Sequence, residues 1–174
     1  MATTPPKIVG GRFLKYDVTD WPLIIASVHP LPYKQNPSLD DIQDARRSMC
    51  QVMHVAKYGS NNSSPLSGFV VDSRAAEMAQ GLPEELMGLP PGPVTKVVDL
   101  SKAYLPSWER SMDLLDLVRL SETEQHGCLA NRYIVLPPVL QPFLEFTKNH
   151  MSTVTGTIVK SLEEAFKLIY TDNA

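Results

Sequence analysis

Histidine is the side chain of this sequence best suited to bind a metal ion or to exchange a proton near neutral pH. Neither of the spacings that place two ligands on one turn of helix, His-x-x-x-His and Glu-x-x-His, occurs in the chain. We therefore expect no metal site formed within a single element, and we interpret the histidines as ordinary loop or helix-end residues. They are His29, His54, His126 and His150.

Serine and glycine give no stronger sign of chemistry. A nucleophilic serine on a strand-to-helix turn needs a Gly-x-Ser-x-Gly segment, and the sequence has none. Phosphate-binding loops need closely spaced glycines between a strand and a helix. Gly10 and Gly11 instead precede a predicted strand, while Gly81, Gly88 and Gly92 alternate with prolines. We predict no catalytic residue, no cofactor and no bound nucleotide.

The two cysteines, Cys50 and Cys128, have no metal-ligand spacing and no repeated pattern. We interpret both as small buried apolar residues, which fits a reducing compartment. Residues 1–7 contain neither the apolar stretch of a secretory signal nor the arginine-rich pattern of a transit peptide. These features predict a cytoplasmic protein.

Charge and hydropathy exclude two classes of partner. The 174-residue chain has a net charge of -3 and a pI near 5.8, and its Lys and Arg residues are scattered, so nucleic acid is a poor candidate. Hydrophobic residues make up 43% of the chain, but no apolar run is long enough to span a bilayer. We expect a soluble protein that binds another protein or forms a homo-oligomer, with no membrane insertion.

The elements that must position any site alternate between strand and helix in the second half of the chain. Short β-rich runs and helical patterns follow one another there: Val94–Leu100, Ser107–Thr123, Arg132–Leu136, Val139–Met151, Thr155–Val159 and Ser161–Tyr170. Such alternation is typical of βαβ units, in which helices cover a parallel or mixed sheet.

The first half adds two strands and a long helix. Leu14–Val18 and Leu23–Ala26 read as strands joined by a tight turn, and Leu39–Ala56 reads as a helix capped by Ser38. The predicted fold is α/β, with one mixed, largely parallel sheet of about five or six strands and about four helices.

We expect one domain over residues 11–174, after a disordered lead at residues 1–10. An insertion or long ordered loop is expected at about residues 58–93.

Several of these segments resemble the small STAS or SpoIIAA-like regulatory domains, and the resemblance covers about two-thirds of the chain. The matching features are Asp99-Leu100-Ser101 at a strand end, Ser161-Leu162-Glu163-Glu164-Ala165 at the start of the last helix, and the opening run Asp20-Trp21-Pro22-Leu23-Ile24-Ile25. The resemblance implies a mixed sheet with packed helices, no cofactor, and a docking or switching role.

Two segments are candidates for the central strand of that family, Phe69–Asp72 and Lys96–Leu100. The capped helix pattern after Lys96–Leu100 favours the latter.

In phosphorylated members of that family, a Ser or Thr follows an Asp at the start of the helix after the Asp-Leu-Ser strand. Ser107 is the nearest counterpart here, although Pro106 replaces the Asp and Trp108 follows. Ser107 is therefore either a phosphoacceptor or a simple helix N-cap.

Five apolar residues are candidates for an interface: Trp21, Trp108, Leu86, Met87 and Leu89. The two tryptophans stand at element boundaries, and aromatic residues dominate interface energetics. The three others lie in a proline-rich segment that either packs internally or forms a binding face.

The resulting functional prediction is a non-catalytic protein-binding, scaffolding or regulatory subunit. One alternative is a small apolar-ligand binder, with its pocket between the sheet and residues 58–93. The other is an enzyme whose site is assembled only in the tertiary structure.

Overall fold

The computed structural model describes residues 5–32, 35, 37–60, 81–103, 129–150 and 156–172. Within these ranges, six strands form one sheet whose spatial order is their order along the chain. The strands are β1 (Ile8–Gly10), β2 (Leu14–Asp17), β3 (Leu23–Val28), β4 (Val94–Asp99), β5 (Leu129–Val135) and β6 (Thr157–Val159). The pairings β1–β2 and β2–β3 are antiparallel, and those from β3 through β6 are parallel. The prediction of an α/β fold with one mixed sheet is confirmed.

Three α-helices lie in the described ranges: α1 (Leu39–Tyr58), α2 (Leu144–His150) and α3 (Leu162–Asp172). Short 3-10 helices precede β4 at Glu84–Leu86 and α2 at Pro138–Phe143. The predicted helix Ser107–Thr123 lies outside the described residues, so three of about four expected helices are seen.

Alternation along the strands divides the core between two faces of the sheet. Ile24, Ala26 and Val28 of β3 point to the face covered by α1 and the 138–150 segment. Leu23 and Ile25 point to the opposite face, where they border the core formed with α3. We call these the α1 face and the α3 face. Each fully buried large aliphatic side chain in these cores contributes about 1.5–3 kcal/mol to the free energy of folding.

A capping box fixes the start of α1, as predicted from Ser38. The Ser38 hydroxyl accepts from the Asp41 N–H at 3.1 Å, and the Asp41 carboxylate accepts from the Ser38 N–H at 2.8 Å. Asp41 also accepts two hydrogen bonds from Arg12, at 2.8 and 2.9 Å. Because Arg12 lies between β1 and β2, this pair ties the first turn of α1 to the antiparallel part of the sheet.

The structure differs from the sequence prediction in two elements. Ile8–Gly10 forms an edge strand where a disordered lead was expected through residue 10. The predicted helix Val139–Met151 begins instead as the 3-10 helix Pro138–Phe143, because Pro142 within it has no N–H to donate to an α-helical bond.

Residues 96–99 of the segment Lys96–Leu100 belong to β4, which lies between β3 and β5. The competing segment Phe69–Asp72 lies outside the described residues.

Candidate functional site

Polar side chains gather where the parallel strands β3 and β4 end. We call this end of the sheet, where the carboxyl ends of the parallel strands lie, the carboxyl edge. Ser27 of β3 lies opposite Lys15 of β2 and Asp99 of β4, so these three residues form a row across three strands on the α3 face. His29 lies two residues beyond Ser27 and therefore on the same side. Open α/β sheets bind ligands at the carboxyl ends of their parallel strands, which makes this edge the first place to look for a site.

Asp99 is 4% exposed, and its charge is satisfied locally. One carboxylate oxygen, Oδ1, accepts from the Ser101 N–H at 2.9 Å and from the Ser101 hydroxyl at 2.6 Å. The hydroxyl proton is thus directed at Asp99. Ser101 is held in a strand-exit turn and is not paired with His29 as a nucleophile would be.

The same turn occurs at the exit of β2. Asp17 Oδ1 accepts from the Thr19 N–H at 3.0 Å and from the Thr19 hydroxyl at 2.6 Å. Two copies of one Asp-x-Ser/Thr geometry at two strand ends indicate a structural role, since the motif satisfies backbone groups where the ladder stops.

His29 is the titratable centre of the edge. Its backbone N–H donates to Phe13 O at 2.8 Å, which holds the residue against the start of β2. Partial burial lowers the pKa of the imidazole, the positive charges of Lys15 and Lys102 lower it further, and Asp99 opposes them. At neutral pH the ring is therefore neutral and lies in the field of two ammonium groups. We name Lys15, His29, Asp99, Ser101 and Lys102 the carboxyl-edge cluster.

A second surface lies on the segment that covers the α1 face after β5. This segment exposes 38% of Val139, 49% of Phe143 and 55% of Phe146. Phe143 ends the 3-10 helix and Phe146 lies three residues further on, in α2. The opposite side of the same segment, which includes Leu140 and Thr147, is fully buried. We name Val139, Phe143 and Phe146 the aromatic stripe.

The structure places Leu86, Leu89 and Trp21 against the body of the protein. Leu86 is completely buried in the core on the α1 face, and Trp21 and Leu89 pack against that core. Trp21 Nε1 donates to Pro90 O at 3.0 Å. The sequence left open whether this segment packs internally or forms a binding face. Leu86 packs internally, so its side chain is not available for an interface.

Backbone hydrogen bonds hold the same segment in place. The Gly92 N–H donates to Ala56 O at 2.9 Å, and Leu89 O accepts from both the N–H and the hydroxyl of Ser60 at 3.2 Å. Met87 alone among the three predicted interface residues of this segment is exposed, at 55%. Ser107 and Trp108 lie outside the described residues.

The apolar-pocket alternative placed a ligand between the sheet and residues 58–93. In the described part of that segment, Leu86 itself packs against the sheet core, and Leu82 and Leu89 flank it. In the described part of the segment, the protein's own leucine side chains thus lie against the sheet core, where the alternative placed a ligand.

No group of three or more His, Cys, Asp or Glu side chains within the described ranges is placed to hold a metal ion. In the same part of the chain, no helix has both the length and the hydropathy needed to cross a membrane.

Comparison of the chain with protein-family models, with curated proteins and with solved structures finds no match. Over the described residues, fold and geometry define the class as an α/β protein with a mixed sheet of six strands. The carboxyl-edge cluster lies on the α3 face of this sheet, and the aromatic stripe lies on the segment that covers the α1 face.

Sequence reasoning did not find the carboxyl-edge cluster. The available signal was that His29 directly follows β3, that Ser101 and Lys102 come two and three residues after β4, and that parallel strands end at the same edge.

Proposed function

We propose that this chain is a non-catalytic protein-binding module of STAS-like character, with a regulatory or scaffolding role. The observation that carries the proposal is the aromatic stripe, in which two phenylalanines about half exposed stand side by side on one short helical segment. Large aromatic side chains supply most of the binding energy in many interfaces, and each one that becomes fully buried adds about 2 kcal/mol or more.

The polar residues of the carboxyl-edge cluster support binding more than catalysis. The Ser101 hydroxyl donates to Asp99, and the positive charges of Lys15 and Lys102 make the neutral His29 imidazole a weaker base by lowering its pKa. General base catalysis at neutral pH favours a group whose pKa is close to the operating pH and which reaches the proton it abstracts. The cluster is better suited to hold a charged group than to transfer a proton.

Two features are compatible with the STAS-like part of the proposal. β4 ends in Asp99-Leu100-Ser101 and lies inside a mixed sheet, and the last helix starts at the Ser161–Glu164 turn. The Ser161 hydroxyl accepts from the Glu164 N–H at 3.1 Å, as an N-cap should. Phosphorylation of Ser107 stays a prediction that phosphopeptide mapping of the native protein tests.

The deciding experiment removes the aromatic stripe and follows the partner. A tagged Phe143→Ser/Phe146→Ser variant and the wild-type chain are used for affinity purification from the native host, and the captured complexes are weighed by native mass spectrometry. We expect the variant to recover at least tenfold less of one protein partner, because two aromatic anchors are lost.

Tyr170→Ser is the matched control, because Tyr170 is also an exposed aromatic residue, 64% exposed, but lies on α3 on the other face of the sheet. It should recover the same partner as the wild type. A homo-oligomer lost only in the stripe variant would support the proposal equally. Identical recovery by both variants, or a solitary monomer carrying a metabolite, would contradict it.

A further inference from the structure

We propose that the carboxyl-edge cluster binds a phosphate group as a dianion, through Lys15, His29 and Lys102. The binding itself is independent of the aromatic stripe. The aromatic stripe lies on the segment that covers the α1 face, and the cluster lies on the α3 face. The chemistry recognised is that of a phosphate monoester, and the experiment below distinguishes a phosphorylated protein from a phosphorylated small molecule.

The first step of the argument is position. Lys15 and Asp99 both lie opposite Ser27, one on each side of β3, and His29 lies two residues further along. Opposed residues of neighbouring strands point to the same face, so the side chains of β2, β3 and β4 converge here on the α3 face. Lys102 lies in the turn that follows β4, three residues after Asp99, and its charge acts on His29.

The second step is charge. The charged groups that act on His29 are two ammonium groups and one carboxylate, that of Asp99, whose Oδ1 already accepts two hydrogen bonds from Ser101. The cluster therefore carries excess positive charge at neutral pH, and more when His29 is protonated. This excess stands out in a chain whose net charge is -3.

The third step is the chemistry of the anion. A phosphate monoester loses its second proton near pH 6, close to the ordinary pKa of histidine, so dianion binding and protonation of His29 favour one another. Lysine ammonium groups bind phosphate as point charges and do not require the planar fork of arginine. A monoanionic carboxylate would gain less from the same three groups.

The test uses inorganic phosphate as the probe and the imidazole signals of His29 as the readout. The NMR pKa of His29 is measured in the full chain at rising phosphate concentration and constant ionic strength, with chloride as the balancing salt. We expect a saturable rise in the pKa of His29. The signals of His54, which is buried in α1, should not respond.

Matched lysine variants identify the site. Lys15→Gln and Lys102→Gln should each weaken phosphate binding by about two- to fivefold, the range expected for a partly exposed ionic contact, and the double variant should lose saturation. Lys57→Gln is the control, because Lys57 is exposed at the far end of α1. A response of His29 no larger than with chloride, or equal weakening by Lys57→Gln, overturns the inference.

A separate arm distinguishes the source of the phosphate. The affinity purification described above is repeated with phosphatase-treated lysate and with the Lys15→Gln/Lys102→Gln variant. Loss of one captured protein in both cases assigns the phosphate to a phosphorylated protein. Undiminished capture together with a saturable response of His29 to phosphate assigns the site to a phosphorylated small molecule.

Discussion

At the scale of single residues, the most heavily bonded carboxylate in the described ranges is that of Asp41. It accepts from Arg12 Nε and a guanidinium nitrogen, and from the N–H and hydroxyl of Ser38. The hydrogen bond from Arg12 is the main reason that the pKa of Asp41 lies far below its usual range, and the Ser38 N–H adds to it. The ionised carboxylate is therefore a link between α1 and the β1–β2 turn.

Replacing this carboxylate should make the free energy of unfolding less dependent on pH in the acidic range. A carboxyl group with a lowered pKa stabilises the fold above its unfolded pKa of about 4 and loses that effect as the pH falls towards its folded pKa. We expect Asp41→Asn to unfold at lower urea concentration than the wild type at pH 7, and the difference to shrink below about pH 4.

Asp44→Asn is the control, because Asp44 is an exposed residue whose contact with Arg47, at 3.4 Å, is open to solvent. It should change the urea midpoint little at any pH. If Asp41→Asn lowers the urea midpoint by the same amount at pH 7 and at pH 3, the assigned role of the carboxylate is contradicted.

At the scale of elements, β6 is an edge strand of the sheet formed by the described residues. Val159 O accepts from Leu136 N at 3.3 Å, so the backbone groups of Val159 face β5 and those of the next residue, Lys160, face outward. Both outward groups of Lys160 are occupied by side chains. Its N–H donates to Glu164 Oε2 at 2.8 Å, and its C=O accepts from Gln141 Nε2 at 3.2 Å.

These two side chains should protect the edge from pairing with another chain. Unpaired strand edges are templates for association, and covering their backbone groups removes the template. We expect Gln141→Ala/Glu164→Ala to self-associate at concentrations where the wild type does not, as measured by sedimentation velocity over a concentration series.

Glu163→Ala is the matched control for the edge. Glu163 lies in the same first turn of α3 and is exposed, so its removal changes helix charge equally but leaves Lys160 covered. Association of the control to the same degree as the double variant would show that charge, and not edge coverage, keeps the chains apart.

At the scale of the whole molecule, Leu86 connects the loop before β4 to the main core. It is completely buried in the cluster that contains Ile24 and Val52, although it belongs to a single 3-10 turn. Truncation of a fully buried leucine leaves a cavity and costs about 2–5 kcal/mol.

We therefore expect Leu86→Ala to lower the free energy of unfolding in urea by about 2–5 kcal/mol. Met87→Ala, one residue away and exposed, should change it by less than about 0.5 kcal/mol. Equal effects of the two substitutions would mean that the 81–93 segment contributes little to the core in solution.

Comparison of the whole fold with the sequence shows which features could be predicted from local sequence and which could not. The α1 start was readable because Ser38 and Asp41 stand in a capping box before a helical apolar pattern. β1 was missed because only Val9 of its three residues is buried, which leaves no alternation to detect. The carboxyl-edge cluster was missed because Lys15 and Asp99 meet only through their pairing with β3, and strand register is not a local property.

The order of the six described strands across the sheet follows their order along the chain, from β1 to β6. Each of these strands therefore has its neighbour already present as the polypeptide leaves the ribosome, and none of the six has to insert between two strands made earlier. These strands can thus join the sheet one after another during synthesis. Of the six, β6 joins last, and Gln141 and Glu164 then bond the outward backbone groups of Lys160 directly after it.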